Sequence, residues 1–423
     1  MFVALTITPY LGFHLLREKD NQKEKAEHGL ETGWIYKMYE KFERPLLDNK
    51  KKRWVFLGVT IILLGGSMAM FFNNSVVVKM LPFDNKNEFQ VVIDLPEGTT
   101  LERTAAVTRE IAQYIAQQEE VVNYQSYVGT SAPITFNGLV RHYDLRGGSN
   151  MADIQVNLLH KEDRDLQSHD IAKRVRPEVQ KIAKKYNANV KIIEVPPGPP
   201  VLSTLVAEVY GPDYKEQIKV AKHIEEILHK TNDIVDIDWM VEDNQTEYKI
   251  EVDKEKAMSY GIAPQQIVGT VTTLMREIPV AELKDENSEN KVDITIGLSD
   301  KDKTSLQDIK NIKIKSASGV AIPIGDLVQI KEQTLQPTIH RKDQKRVVYV
   351  TADMAGALES PVYAILGMSE KLKSVELPKG YKLNELYTEQ PKDESDFTVK
   401  WDGEWQITLE VFRDLGAAFL VVI

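Results

Sequence analysis

The feature that most constrains this sequence is one long stretch without a charged residue. Residues Trp54 to Phe72 read WVFLGVTIILLGGSMAMFF, nineteen residues with no Asp, Glu, Lys or Arg. At about 1.5 Å per residue, a helix of this length crosses the roughly 30 Å hydrocarbon core of a bilayer. Helices of soluble proteins usually keep a polar face. The sequence therefore predicts a transmembrane helix at 54–72.

Basic residues flank this stretch on one side only. The run KKKR at 50–53 precedes it, whereas NNS at 73–75 follows it. By the positive-inside rule the basic side is cytoplasmic, so the bulk of the chain after this helix is expected outside the cytoplasm. Two further apolar segments point to neighbouring membrane helices. Residues 1–16 are expected to be the end of an earlier one, and 415–423 the start of a later one.

Residues 17–53 are expected to connect two membrane helices on the cytoplasmic side. Five large apolar residues recur there at spacings of three and four, typical of one helix face: Trp34, Ile35, Met38, Tyr39 and Phe42. Basic residues lie close to them. Such a helix either lies on the membrane surface or packs against neighbouring protein, and the pattern favours neither.

Composition narrows the possible functions. The net charge of −10 argues against nucleic acid as a partner, because phosphate binding needs an excess of Lys and Arg. The chain has no cysteine, which excludes disulfides and thiolate sites. Glycine-rich nucleotide loops, HExxH and GxSxG are all absent. We therefore expect no enzyme activity, no catalytic residues, no cofactor and no metal site.

After the membrane helix, predicted strands and helices alternate regularly. Two βαβ units in tandem predict a ferredoxin-like split βαβ sandwich, with strands at 89–95, 121–128, 151–159 and 189–195 and helices at 101–118 and 168–186. A second such unit is split by an insertion near 246–345, with strands at 204–210, 234–239, 346–353 and 382–387 and helices at 214–230 and 360–373. The insertion carries short elements of its own, near 248–252, 263–273, 291–296 and 312–315. The expected fold class is an α+β membrane protein.

Several ordered motifs support a family resemblance, namely LTITPYL at 5–11, LPFDNKNEFQVVIDLPEGTTLERT at 81–104, EYKIEVDKEKAMSYGIAPQQI at 247–267, GVAIPIGDLVQI at 319–330 and IHRKDQKRVVYV at 339–350. Together with the element order, they resemble the second extracytoplasmic half of efflux transporters of the RND superfamily, acriflavine-resistance type. The resemblance covers essentially the whole chain, from the end of the sixth to the start of the eighth membrane helix.

The resemblance implies a division into domains. Residues 1–16, 17–53 and 54–72 would be a helix end, a cytoplasmic amphipathic connector and a transmembrane helix. The remaining parts would be the first porter subdomain (73–202), the split second porter subdomain (203–245 and 346–390), an inserted docking subdomain (246–345), and a periplasmic connector with the start of the next membrane helix (391–423).

The resemblance also implies an activity. Such transporters are proton-driven multidrug exporters of hydrophobic or amphiphilic compounds. They are multi-pass inner-membrane proteins with a large periplasmic domain, and they work as homotrimers with a periplasmic adaptor and an outer-membrane channel. Their partners are thus a small lipophilic substrate, membrane lipid and those proteins. The proton relay would lie outside this chain, and no ionisable residue occurs in 54–72.

Seven residues are candidates for substrate binding. Residues 127–146 occupy the position of the switch loop that divides the drug pockets of similar transporters, and they include Tyr127, Phe136, Leu139 and Tyr143. Family analogy adds Met151, Glu194 and Trp239, where strands reach the same cleft. Aromatic and apolar side chains suit an adaptable pocket. The alternative is that these side chains fill the cleft or pack within strands.

Other functions stay open. A heavy-metal or lipid exporter of the same superfamily is one alternative. A metal exporter would be indicated by a cluster of methionines, because their sulfur atoms bind soft metal ions. Met151, Met240 and Met275 are too scattered in the sequence to predict such a cluster. Another alternative is a membrane-anchored extracytoplasmic module that binds or assembles partners.

Overall fold

The computed structural model describes residues 10, 34–72, 84–133, 136–195, 201–284, 288–356 and 359–422. The chain divides into two compact units, Met1–Val78 and Lys79–Ile423, and each is described by itself. Apart from Tyr10, the predicted membrane segment at 1–16 lies outside the described residues.

The first unit contains three consecutive helices, α1 (Trp34–Phe42), α2 (Arg44–Asp48) and α3 (Lys50–Phe72). The predicted helix at 54–72 is confirmed as a helix, and it begins four residues earlier, within the basic run. Its segment Lys50–Met70 is the one helix in the described part of the chain that is long and apolar enough to cross a membrane.

The second unit opens with a four-stranded antiparallel sheet, here called sheet 1. Its strands are β1 (Glu88–Asp94), β2 (Val121–Thr130), β3 (Gly147–Leu158) and β4 (Asn189–Ile193), in the order β2-β3-β1-β4. Its helices are α4 (Leu101–Ile115), the short α5 (Phe136–Arg141) and α6 (Ser168–Lys185). This is the β-α-β-β-α-β order predicted from the sequence.

Sheet 1 follows from its apolar pattern. The five central residues of β1 are all buried, and Val91 stands opposite Ile154 of β3 and Ile192 of β4. Val107 and Ile111 of α4, one helical turn apart, are fully buried against this sheet. Each such side chain contributes roughly 1.5–3 kcal/mol by leaving water.

Sheet 2 is formed by two stretches of chain far apart in sequence. Its strands are β5 (Leu205–Tyr210), β6 (Ile234–Trp239), β15 (Val348–Met354), β16 (Leu383–Leu386) and β17 (Phe397–Gly403), in the order β16-β17-β5-β15-β6. Two helices cover it, α7 (Tyr214–His229) and α11 (Pro361–Leu372). Asp213 caps α7 by accepting a hydrogen bond from the N–H of Glu216 at 3.0 Å.

One strand of sheet 2 was missed in the sequence. The sequence ended the second subdomain at residue 390 and assigned 391–423 to a connector, but β17 lies inside the sheet, antiparallel to β5 and parallel to β16. Its five residues from Phe397 to Trp401 are buried. Charged residues within this segment hid its apolar face. Helix α12 (Glu404–Val422) follows at once, with Trp405 and Thr408 buried.

The insertion between β6 and β15 has its own small core. It contains β7 (Thr246–Val252), α8 (Lys254–Ser259), α9 (Pro264–Arg276), β8 (Ile278–Leu283), β9 (Val292–Ile296), α10 (Leu306–Asn311), β10 (Lys313–Lys315), β11 (Ala321–Pro323) and β12 (Val328–Thr334). Strands β7 and β12 pair antiparallel, so the chain enters and leaves side by side. The predicted elements of the insertion are confirmed.

A short hairpin leads from the insertion back to sheet 2. It consists of β13 (Arg341–Lys342) and β14 (Lys345–Arg346). The two residues between them, Asp343 and Gln344, both have positive φ, as a tight two-residue hairpin turn requires. This turn directs Lys342 toward the buried face of sheet 2.

Candidate functional site

A cavity of about 1080 Å³ lies where sheets 1 and 2 meet. Typical pockets for small organic ligands measure about 300–1,000 Å³. Its wall combines aromatic and sulfur-containing side chains with charged ones. The aromatic and methionine residues are Tyr143, Met151, Trp239, Met240 and Tyr349. Such a wall can contact apolar and charged parts of one molecule.

The two sheets meet along their edge strands β4 and β6. The side-chain amide of Asn189 donates to the carbonyl of Ile237 at 3.2 Å, and the N–H of Ile192 donates to Asp236 Oδ2 at 3.2 Å. Asp236 has a positive φ, and its buried carboxylate pairs with Arg176 of α6. Burial raises the pKa of Asp236 to about 6, although Arg176 opposes this shift. Charged groups therefore hold the two edges together.

Two basic residues form a charged floor to the cavity, Arg146 just before β3 and Lys191 of β4. Arg146 pairs with both Asp94 and Asp153, and Lys191 pairs with Asp94 at 2.9 Å. Lys191 also pairs with Asp238 at the end of β6. Its side chain is only 3% exposed, and the two carboxylates outweigh the effect of burial and raise its pKa. The floor is thus a chain of alternating charges that runs from one sheet to the other.

Residues 131–133 and 136–146, here called the bridging segment, cross from sheet 1 to sheet 2. At one end, the N–H of Ala132 donates to Asp153 at 2.8 Å, and Arg146 pairs with the same carboxylate. In the middle, Arg141 reaches across and pairs with Asp353 of β15 at 2.8 Å. The segment is therefore anchored on both sheets and forms part of the cavity wall.

Hydrogen bonds from neighbouring groups hold the carboxylate of Asp353 in place to pair with Arg141. It also accepts hydrogen bonds from the Ser203 hydroxyl at 2.8 Å and from the N–H and hydroxyl of Thr204, both at 2.9 Å. Although burial opposes it, Arg141 and these donors hold the pKa of Asp353 well below its ordinary value. The carboxylate stays ionised, so the pair keeps its full charge.

A second charged group lies in the wall formed by sheet 2. Glu208 of β5 is fully buried and pairs with Lys342 of the hairpin; Lys400 and Asp402 of β17 are 3.0 Å apart. Burial raises the pKa of Glu208 to about 7, and Asp402 adds to this shift while Lys342 opposes it. Tyr210 donates its hydroxyl hydrogen to Glu208 at 2.9 Å. This cluster links the hairpin to the interior of the sheet.

A histidine joins the sheets at a separate place. His169 at the start of α6 contacts Glu194 through Nδ1 at 2.6 Å and Glu359 through Nε2 at 2.7 Å. Burial lowers its basicity, but the two carboxylates outweigh burial and raise the pKa of His169 to about 9. Lys173 also pairs with Glu359, at 3.0 Å. The imidazolium therefore bridges sheet 1 and the loop before α11.

The chain matches the model of the AcrB/AcrD/AcrF family over residues 1–399. The chain belongs to this family of RND efflux transporters. The fold follows the family, with the mixed α/β content of the RND transporter fold.

Similar proteins share the family but differ in described roles. The chain is 22% identical to the swarming motility protein SwrC of Bacillus subtilis over 361 residues, covering 85% of this chain and 32% of SwrC. It is 22% identical to the nickel-cobalt-cadmium resistance protein NccA of Alcaligenes xylosoxydans over 370 residues, covering 84% and 32%. It is 20% identical to the multidrug export protein AcrF of Escherichia coli over 338 residues, covering 76% and 31%. The chain thus spans about a third of these relatives.

Solved structures agree on the fold. A crystal structure of a heavy metal efflux pump has a TM-score of 0.64 to this chain at 17% identity, covering 92% of this chain and 38% of that one. At this identity the likeness concerns the fold alone.

The structure brings three of the seven predicted site residues to the cavity of this RND transporter: Tyr143, Met151 and Trp239. Tyr143 lies beneath Arg146, whose guanidinium is 5.7 Å from the ring centre. Trp239 ends β6, where sheet 2 meets sheet 1. These three residues come from the bridging segment, β3 and β6.

The other four predicted residues lie elsewhere or outside the description. Glu194 holds His169 rather than lining the large cavity. Leu139 is 56% exposed on α5, and Tyr127 donates its hydroxyl hydrogen to Gln125 at 2.7 Å. The backbone of Phe136 begins α5, but its side chain lies outside the described residues. Glu194 follows β4 directly, and its carboxylate contacts His169 there, so its role in substrate binding stays a prediction.

Sequence reasoning missed the buried charged residues in and next to the cavity. Lys191, Glu208 and Asp353 are single charges inside apolar strands, NVKII, LVAEVY and VYVTADM. A buried strand rarely tolerates a charge unless it is paired. A single charged residue within an otherwise apolar strand was therefore the signal in the sequence that could have identified these residues. Their partners come from distant segments, which no local pattern shows.

The described residues contain no group of three or more His, Asp or Glu placed to hold a metal ion. Glu97 and Asp243 approach each other at the cavity wall, where burial raises the pKa of Glu97 and Asp243 adds to the shift.

Proposed function

We propose that this chain forms the extracytoplasmic substrate-handling part of a proton-driven RND efflux pump, and that the pump exports drug-sized amphiphilic compounds. The observation that carries the proposal is the cavity of about 1080 Å³ between the two sheets. Its volume fits an organic molecule and far exceeds the space that a single ion needs.

The chemistry of the wall supports an amphiphilic substrate. Tyr143, Trp239 and Tyr349 offer aromatic surface, while Met151 and Met240 offer flexible apolar surface that adapts to different shapes. Ionic groups stand beside them. A compound with an apolar body and a charged or polar end can therefore contact both the apolar side chains and the ionic groups.

The placement and assembly of the pump belong to the same proposal. We place α3 across the inner membrane, the second unit in the periplasm, and the insertion at 246–345 as the docking lobe. The subdomain boundaries given from the sequence stay predictions, with β17 added to the second. The homotrimer, the adaptor and the outer-membrane channel are expected from the family.

Metal-ion export is the second candidate, because two kinds of similar protein, NccA and the crystallised heavy metal pump, carry that description. The cavity chemistry favours it less. The carboxylates Asp94, Asp153 and Asp238 are already paired with Arg146 or Lys191. A metal ion would have to displace these basic groups.

Ligand binding to the purified chain tests the proposal. Rhodamine 6G, a fluorescent amphiphile, is titrated with wild type, Tyr143→Ala and Trp239→Phe, and its polarisation is followed. Losing an aromatic contact costs roughly 1.5–3 kcal/mol, so we expect the Kd to rise about tenfold to a hundredfold for Tyr143→Ala. Trp239→Phe keeps the packing and is expected to have a smaller effect.

Tyr248→Ala is the matched control, because Tyr248 is an exposed tyrosine of the insertion. It should bind the dye like the wild type. Equal loss in the control, or no loss in Tyr143→Ala, would contradict a role for the cavity. Calorimetric titration with Ni²⁺ completes the test, since tight binding that Glu97→Gln and Asp243→Asn abolish would favour metal export instead.

A further inference from the structure

The short helices α1 and α2 carry exposed apolar and basic side chains that do not line the cavity. Trp34 is 73% exposed, Met38 50% and Tyr39 49%, all on α1. Leu47 of α2 is 61% exposed. An exposed apolar face next to lysines is the composition of helices that bind a membrane surface.

The charges of α1 are sorted around the helix. At about 100° per residue, Trp34 and Tyr39 mark the edges of an apolar arc of about 140°. Lys37 and Lys41 lie just outside the Trp34 edge, whereas Glu40 lies on the opposite side. Basic groups thus lie along one edge of the apolar face, and the acidic group lies on the side away from it. This arrangement suits a negatively charged surface under the apolar face.

A defined elbow joins α2 to the candidate membrane span. Asn49 stands between the two helices, and its side chain accepts a hydrogen bond from the N–H of Lys51 at 2.9 Å. Arg53 of α3 donates from Nη2 to the carbonyl of Leu47 at 2.6 Å and from Nε to that of Leu46 at 3.4 Å. These carbonyls end α2 and would otherwise lack donors. The elbow therefore fixes α1 and α2 next to the end of α3.

Three lysines remain at this elbow. Lys50, Lys51 and Lys52 are consecutive and exposed. Their charges repel one another, and they stand at the positive end of the α3 dipole, where cations are unfavourable. A layer of anionic groups offsets both effects. Such a layer exists at the surface of an anionic bilayer, where α3 would enter.

We propose that α1, α2 and the first turn of α3 form a docking surface for anionic phospholipid headgroups, with the apolar face of α1 inserted between the lipids. The inference rests on the proposed function only in placing the chain in a bilayer. It adds that lipid charge fixes the position of the connector. Each basic residue at such a surface favours binding by roughly fivefold, and salt weakens the effect.

The absence of cysteine makes a direct test possible. Met38→Cys places a single nitroxide label on the apolar face, and Glu40→Cys places one on the opposite side. The full chain is reconstituted in vesicles of phosphatidylcholine alone or mixed one-to-one with phosphatidylglycerol. The accessibility of the label to oxygen and to a water-soluble nickel complex gives its depth. We expect the Met38→Cys label to be shielded from nickel in the anionic vesicles and at least tenfold more accessible in the neutral ones, because each lost lysine contact weakens binding by roughly fivefold. The Glu40→Cys label should stay accessible in both.

A charge variant sharpens the result. Lys50→Gln/Lys51→Gln/Lys52→Gln should expose the Met38→Cys label in anionic vesicles as strongly as neutral lipid does. The matched control, Lys230→Gln/Lys254→Gln/Lys256→Gln, removes the same charge from exposed lysines of the second unit and should leave the label shielded.

Two outcomes would overturn the inference. A Met38→Cys label that is shielded equally in neutral and anionic vesicles would show packing on protein or purely apolar insertion. A label that is accessible in both would show that α1 does not touch the bilayer. Neither outcome changes dye binding in the cavity, so failure here is distinguishable from failure of the proposed function.

Discussion

Sheet 1 and sheet 2 share an element order but differ in how the chain supplies it. Sheet 1 is continuous from β1 to β4, and its helices and strands follow one another without a break. Sheet 2 is interrupted by the insertion and gains β17 between β5 and β16. Both sheets carry buried charge, at Asp153 and Lys191 in sheet 1 and at Glu208 and Lys400 in sheet 2. The comparison teaches that the interrupted sheet receives a partner for its buried charge from beyond the insertion, since Glu208 pairs with Lys342, 134 residues away.

The largest expected effect tests whether β17 belongs to the sheet or only lies on it. Trp401 is fully buried, and its indole N–H donates to Glu385 at 2.7 Å. Trp401→Ala should lower the free energy of unfolding by about 3–5 kcal/mol through the cavity that it leaves, measured by chemical denaturation. Phe89→Ala in sheet 1 is the comparison, with a loss of similar size.

Hydrogen exchange separates the two variants. Trp401→Ala should speed exchange in β5 and β15, and Phe89→Ala should do so in β1 and β3. If Trp401→Ala left β5 unchanged, β17 would be an appended strand and the comparison between the sheets would fail.

The next effect tests the connection between the sheets. Arg141→Ala removes the partner of buried Asp353, and we expect a loss of about 2–3 kcal/mol, since the remaining donors at Asp353 limit the penalty. Denaturation measures the loss, and dye binding should weaken as the bridging segment detaches. Arg109→Ala, on the exposed side of α4, is the control and should change stability little. An unchanged Arg141→Ala variant would mean that the segment is held by packing alone.

A pH dependence follows from His169. Its pKa in the folded chain, about 9, is above its ordinary value of 6.5. The stabilisation is therefore complete below about pH 6.5 and is lost as the pH rises through 9. We expect a loss of about 2–3 kcal/mol between these values, because one pKa unit corresponds to roughly 1.4 kcal/mol and the side chain is only 12% exposed, so solvent screens it little.

His169→Gln should be less stable than the wild type at pH 6 and nearly equal to it at pH 10, by thermal or chemical unfolding. His223 is exposed on α7, and His223→Gln should leave the pH profile unchanged. A wild-type profile that rises toward pH 9 would refute the assigned role of the imidazolium.

The smallest effect is expected from removing the insertion. The N–H of Leu335 donates to the carbonyl of Gln245 at 2.8 Å, so the two ends of 246–334 are already adjacent. Replacing this range by a short glycine linker should cost less than about 1 kcal/mol, because a short loop closes easily here. Denaturation and the circular dichroism of the sheets measure it. Loss of sheet 2 in this variant would show that the insertion supports the sheet instead of merely interrupting it.

Local pattern sufficed for most elements of both sheets. Helix and strand periodicity predicted β1, α4, β3 and α7 to within a few residues, because their apolar faces are formed by nearby residues. The same rule failed for β17, since its segment alternates buried charged and apolar residues. Lys400 is a charged residue, so an apolar pattern does not predict it to be buried. It is buried nevertheless, because it pairs with Glu208 and Asp402.

The amino-acid sequence by itself determined the apolar helix α3, the two βαβ rhythms, the insertion and the family motifs, because each depends on short-range periodicity or on order along the chain. Only the tertiary structure decided which side chains surround the cavity. Arg141 and Asp353 are 212 residues apart, and Glu208 and Lys342 are 134 apart. The energy of such pairs depends on distance and burial in space, and neither quantity is present in the sequence until the two sheets have come together.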